Sequence, residues 1–307
     1  MTISNQSWHR RNLHGYGQHG FDPQWPDGSR LALQFVLNIE EGAEHTLLNG
    51  DNGSEHYLAE IPGAVQIEGL RNYSAESLFD FGSRVGVWRL LRLFEQHNIP
   101  LTAFACGRAL ELNPELGMAL AEQGHEIAGH GYRWIDYRYV SREVERDHIQ
   151  RTCQIIQDLS GAAPVGWYTG RVSANTRQLL NEIGGFVYDS DAYADELPYW
   201  LHAGQQSHLV IPYSLLTNDI RYVIAPGCGH ADDFFSLLRD GFDQLWQEGQ
   251  DSPKMMTVGL HPRFSGQAAR LPALSRFLDH VASHQGVWIC QRREIARHWH
   301  HKFPPQP

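Results

Sequence analysis

The fold class that this chain predicts is α/β, a (β/α) barrel, and three observations lead there. Apolar, β-branched runs of strand length alternate with amphipathic stretches from Arg30 to Cys290, and no linker separates two domains. The 307 residues suffice for one barrel-sized core. Polar side chains able to do chemistry gather just after the strands. In a parallel barrel those positions share one rim, whereas a chance scatter would fall on both.

Residues 1–29, rich in Gly, His, Pro and Trp and without periodicity, read as an N-terminal arm lying on the body or on a neighbouring subunit. The barrel domain is expected over 30–300. Its first strand ends in Asn38-Ile39-Glu40-Glu41-Gly42. Strand neighbours point to opposite faces, so the two carboxylates diverge once the strand begins to turn. A long polar insertion follows, about 43–81. Its aromatic and apolar residues Tyr73, Leu78, Phe79 and Phe81 favour order, so it reads as a lid or subunit contact.

Val85, Trp88, Leu91, Leu93 and Phe94 then mark a helix stopped before Pro100. A strand is expected over 101–106. Asn113 and Pro114 open a helix over 116–123. The strand 126–128 leads into Gly129-His130-Gly131. Ser141 starts a helix to about 159, followed by a strand over 165–169, a helix over 173–183 and a strand over 186–188. Residues 192–229 are irregular apart from 209–213 and 222–224. A helix over 231–248, a strand over 255–260, a helix over 268–283 and a strand over 287–290 complete the pattern.

The formal net charge of −10 argues against nucleic acid or an anionic membrane as partner. No apolar run reaches membrane-spanning length, and residues 1–11 lack the apolar core of a signal peptide. The four cysteines show neither zinc-ribbon nor redox spacing. A cytoplasmic protein is expected. The tail cluster His298, His300 and His301 could hold metal adventitiously and is not counted as a site.

The candidate residues follow the strands. Glu40 and Glu41 stand after the first, His130 and Trp134 after the third, and Arg171 after the 165–169 strand. Asp189 and Asp191 follow 186–188, and His261 and Arg263 follow 255–260. Carboxylates, histidines and arginines on one rim suit hydrolysis at a carbonyl: a carboxylate takes the proton of water, a histidine protonates the leaving nitrogen, and cations or amides hold the oxyanion. Singly, each has a plainer reading. His130 could only hydrogen-bond, Asp189 and Asp191 could cap a turn, and Arg171 could pair with any carboxylate. His261 before Pro262 is the more suggestive histidine, because proline keeps it out of the helical region.

In order and spacing these residues resemble the polysaccharide deacetylases of carbohydrate esterase family 4, over about residues 30–295. The resemblance implies a distorted (β/α) barrel of that type, a single domain with an N-terminal arm. It also implies Glu40 as base, Glu41 and His130 as metal positions and His261 as general acid. Departures accompany it. Trp134 stands where the second metal histidine belongs, glutamates replace both aspartates, and Gly166-Trp167-Tyr168-Thr169-Gly170-Arg171 replaces Arg-Pro-Pro-Tyr. Glu41 and His130 are then a remnant, too few for a tight zinc site.

The same departures are similar to a subgroup, the bacterial allantoinases built on the deacetylase fold. The chain shares with them Gly15-Tyr16-Gly17, Asn38-x-Glu40-Glu41-Gly42, Asn72-Tyr73-Ser74-x-x-Ser77, Gly129-His130-Gly131-Tyr132-Arg133-Trp134, Gly166-Trp167-Tyr168-x-Gly170-Arg171 and Gly259-Leu260-His261-Pro262-Arg263. That resemblance implies opening of the hydantoin ring of allantoin to allantoate in purine degradation, by a homo-oligomer for which a tetramer is one candidate. No cofactor is expected, and a weakly bound divalent metal is left open.

On this reading Glu40 is the base, and Glu41 close by raises the proton affinity of one of the pair. His261 is the acid, oriented by Asp189 or Asp191. Trp134, Trp167 and Tyr168 sandwich the substrate beside His130, while Arg171, Asn218 and Arg263 bind its carbonyls. Two rivals stand beside it: a metal-dependent deacetylase of an N-acetylated carbohydrate with His125 or His45 as third ligand, and a non-catalytic binding protein on the same scaffold.

Overall fold

The computed structural model describes Trp8 and residues 11–61, 65 and 67–306; the rest of the first ten residues of the expected arm lie outside them. The first half of the chain runs β1 (Leu31–Ile39), α1 (Tyr73–Phe81), α2 (Val87–Gln96), β2 (Thr102–Ala105), α3 (Gly107–Leu112), α4 (Pro114–Glu122), β3 (Glu126–Gly129) and α5 (Arg142–Ser160). It continues through β4 (Gly166–Trp167), α6 (Thr176–Ile183), β5 (Tyr188–Asp189), β6 (Tyr199–Ala203) and β7 (Gln206–Val210). The remainder is α7 (Ala231–Glu248), β8 (Lys254–Leu260), α8 (Pro262–Ser265), α9 (Leu271–Ala282), β9 (Val287–Ile289) and α10 (Arg292–Lys302).

Every residue of β1 is buried, because this strand is central and covered on both faces. The sheet order is β6-β7-β5-β4-β3-β2-β1-β8, with β9 also on β1. All pairings are parallel except β6–β7. The result is a half-barrel in a single domain. Leu31, Leu33, Phe35 and Leu37 alternate toward a core shared with α2, α7 and α9. The opposite face of β1 carries Gln34 and Asn38, both hydrogen-bonded; the buried Arg292 donates to Gln34 Oε1 at 3.0 Å.

Several expectations are corrected. The insertion is partly helical: Asn72 caps α1, accepting from Ala75 N–H at 3.1 Å, and α1 runs into a π-helical turn, Gly82–Gly86. Residues 222–224 are not a strand; Asp219–Tyr222 is a 3-10 turn capped by Asn218. β7 folds back on β6 in an antiparallel hairpin whose first strand lacks a legible alternation. The tail histidines lie on α10, which starts with a Gln291/Glu294 capping box and buries Trp299. Arm residues dock against that end of the molecule. Phe21 packs on Trp299 and Phe303, and the Trp25 indole N–H donates to the Lys254 carbonyl at 3.0 Å. Among the described residues no helix is long and apolar enough to cross a membrane.

Candidate active site

Strand ends converge on Glu40. Its Oε1 lies 3.3 Å from His130 Nε2 and 3.4 Å from His261 Nε2, and its Oε2 lies 2.8 Å from Arg263 Nη2. The Arg263 contact is off the hydrogen-bond direction, so it acts as charge on charge. Glu40 and Glu41 do diverge. Glu40 faces the histidines, while Glu41 turns under the site toward Arg263 Nη1 at 3.5 Å and accepts the Glu40 N–H at 3.1 Å. Burial would raise the Glu40 carboxyl, but Arg263, His261 and His130 outweigh it and hold it well below the usual carboxylate range. For Glu41, burial prevails over Arg263 and the nearby Glu40 adds to it, so its carboxyl is raised. Glu44, beneath, is lifted by burial to about 8. One carboxyl of the pair is raised, as expected, but it is Glu41 and not the base, because the cation favours Glu40.

His261 occupies the N-cap of α8, where Pro262 keeps it extended. Its Nδ1 lies 2.7 Å from Asp219 Oδ1, and its backbone N–H donates to Asp219 Oδ2 at 2.7 Å. Ser265 Oγ also donates to Oδ2 at 2.7 Å. Burial opposes the imidazolium, but Glu40 and Asp219 more than offset it and raise the ring to about 9. Asp189, expected in this role, is elsewhere. It pairs with Arg177 at 2.7 Å and His208 at 2.9 Å, and Asp191 accepts the Thr169 and Gly170 N–H groups. Both serve the β4–β5 end of the sheet. Asp219 lay in a stretch without periodicity and carried no sequence signal.

A cavity of about 240 Å³ opens over these groups, bounded by Glu40, His130, His261, Trp134, Tyr168 and Arg171, with Tyr57 and Leu58 of the insertion on its rim. His130 Nδ1 meets the Tyr168 carbonyl at 2.6 Å, which puts a hydrogen on Nδ1 and aims Nε2 at Glu40. Arg171 stacks on Trp134 at 4.0 Å and reaches Glu55 at 3.7 Å, and its buried Nη2 has no hydrogen-bond partner among the described residues. Two expected substrate contacts are corrected. Strand alternation sends Trp167 to the opposite face, where it packs on Phe186 and hydrogen-bonds Thr169 Oγ1 at 2.8 Å. Arg263 lies below the cavity, against Phe79 and Phe264. Asn218 borders the cavity, but its amide is committed to Tyr213 and Ile220. Besides Asp219, sequence reasoning missed Tyr213 and Asn38. Asn38, two positions before Glu40 on one strand face, was findable. A larger cavity, about 1550 Å³, lies between the arm and β6 and lacks this acid–base set.

A family zinc ion would need three converging ligands. Among the described residues, the groups whose ligand atoms all lie within 4.8 Å are Asp243, His280 and His284, on the helical layer. Glu40, His130 and His261 do not converge in this way, and the fixed Arg263 cation already faces Glu40. His125 Nδ1 accepts the Leu101 N–H at 3.2 Å and His45 pairs with Asp51 at 3.3 Å, so both are engaged away from Glu40. The donor set does not fit a tightly held metal.

A polysaccharide deacetylase family model matches residues 72–186. A Schizosaccharomyces pombe protein described as a polysaccharide deacetylase is 42% identical, over 91% of this chain and 93% of its own. The crystal structure of PuuE allantoinase superposes with a TM-score of 0.94 at 49% identity, covering 96% of this chain and 99% of that one. A Pseudomonas aeruginosa structure described as a polysaccharide deacetylase has the same TM-score, 0.94, at 50% identity, covering 96% and 99%. With the acid–base residues on the strand ends of such a half-barrel and identity of this extent along the chain, the protein belongs to the polysaccharide deacetylase family.

Proposed function

We propose that this hydrolase opens a cyclic amide, the hydantoin ring of allantoin, to give allantoate. The observation that carries the reading is the cavity. At about 240 Å³, rimmed by Tyr57 and Leu58, it suits one small planar molecule better than a sugar chain. The likeness to PuuE allantoinase supports the same substrate.

In the mechanism, ionised Glu40 takes a proton from water as the oxygen adds to the ring carbonyl. The carbonyl π electrons move onto oxygen. Protonated His261 gives its Nε2 proton to the ring nitrogen, and the carbonyl re-forms as the carbon–nitrogen bond breaks. The resulting carboxylic acid releases its remaining proton to solvent to become a carboxylate. Glu40 Oε1 and His261 Nε2 are 3.4 Å apart, so the proton taken by Glu40 can return to His261 after turnover. Arg263 keeps Glu40 ionised, and Arg171 offers its Nη2, unpaired among the described residues, to a substrate carbonyl. We further propose that no tightly bound cation takes part.

The S. pombe relative's description favours a second reading, metal-dependent deacetylation of an N-acetylated carbohydrate. Chelator-treated protein assayed on allantoin and on N-acetylated sugars separates the two. Undiminished ring opening is expected. Activity on the sugars alone, restored by zinc, would overturn the proposal.

A further inference from the structure

Tyr213 closes the floor of the cavity, its ring packed against Phe104 and Tyr168. Its hydroxyl oxygen lies 3.0 Å from Asn38 Nδ2 and 3.1 Å from Asn218 Nδ2. Backbone groups decide which end of each amide faces it. Asn38 Nδ2 also donates to the Leu260 carbonyl at 3.0 Å, a contact that an amide oxygen cannot make. Asn218 Oδ1 accepts the Ile220 N–H at 3.0 Å, which leaves Nδ2 for the tyrosine. The phenol oxygen therefore accepts twice, and neither amide nitrogen can take its hydrogen. Among the described residues no hydrogen bond uses that hydrogen. Asn38 shares a strand face with Glu40, so the hydroxyl belongs to the same chamber as the base and the acid.

We infer that Tyr213 is the donor that holds the oxyanion formed when water adds to the substrate carbonyl, an assignment that rests on the amide-hydrolysis reading above. Two anchored amides fix the hydroxyl before substrate arrives, and accepting their hydrogen bonds strengthens it as a donor. Tyr213 keeps its proton throughout. The carbonyl oxygen gains charge as water adds and loses it when the carbon–nitrogen bond breaks.

The test is Tyr213→Phe, assayed on allantoin and on an N-acetylated sugar, whichever the wild type cleaves. Loss of one oxyanion donor lowers kcat by about 10²–10³-fold, with KM little changed. An analogue with sulfur at the attacked carbonyl, a poor hydrogen-bond acceptor, should lose much less. A tyrosine that only satisfies the two asparagines predicts equal losses on both substrates. Should Tyr213→Phe fold poorly, 3-fluorotyrosine at position 213 keeps both accepted bonds and makes the hydroxyl a stronger donor. Its kcat should change while its melting temperature does not. An active wild type with full kcat in Tyr213→Phe, or no response to fluorination, overturns the assignment. A wild type inert on both amides overturns the functional reading, and this assignment falls with it.

Discussion

At His261 both ring nitrogens face carboxylates, Nδ1 toward Asp219 and Nε2 toward Glu40, and this holds the proton on the ring through neutral pH. Activity that needs Glu40 ionised and His261 protonated should be level through neutrality and fall above about pH 9. Asp219→Asn removes one of the charges that raise the ring, so its alkaline limb should move to lower pH; an unmoved limb would take Asp219 out of the role. The shift also ties stability to pH. The His261 contribution is complete below the ring's ordinary 6.5 and is lost as pH rises through about 9. Glu40→Gln and His261→Ala should each lose about 10²–10⁴-fold in turnover with the fold retained. In Glu40→Gln the Arg263 cation still has Glu41 as partner. Near wild-type turnover in folded Glu40→Gln would pass the role to Glu41.

Between α1 and α2 the π turn Gly82–Gly86 brings two glycines under the site. A Cβ on Gly82 would lie 2.5 Å from Glu41 Oε1, and one on Gly86 would lie 2.1 Å from the Pro262 carbonyl oxygen. Gly86→Ala must therefore push α8 away, moving His261 and Arg263 together. A stability loss of about 1–3 kcal/mol is expected from such overpacking, with a fall in kcat. Gly241→Ala on α7 meets nothing nearer than 3.9 Å and should instead gain roughly 1 kcal/mol of helix propensity. Urea unfolding and steady-state rates on the two variants check the contrast. The strand-end residues Glu40, His130 and His261 were legible because strand periodicity and a turn place them. The elements that work by close approach were not. Nothing local announces that Gly86 touches Pro262, or that Asp219 in an irregular stretch meets His261. Trp167 and Tyr168 were read as alike, although alternate pleating gives one to the core and one to the cavity.

Across the whole molecule, the insertion over 43–81 both borders the cavity and exposes apolar side chains. Leu70 and Tyr73 are 60% and 70% exposed, and Leu48 is 67% exposed. We propose that this surface meets a second copy of the chain. Light scattering at micromolar concentration should give a multiple of 34.9 kDa, and a monomer would refute the contact. The barrel supplies the proton-transfer groups while the insertion supplies Tyr57 and Leu58, so cavity shape can change without disturbing Glu40 or His261. Arg263, wedged between the two glutamates, has a consequence of another kind. A cation carried on the polypeptide arrives by translation. Its dose is always one per chain, and on the proposed metal-free mechanism no loading step separates folding from competence. Cells starved of transition metals should accumulate this protein at the same specific activity as replete cells, with nothing to add after purification.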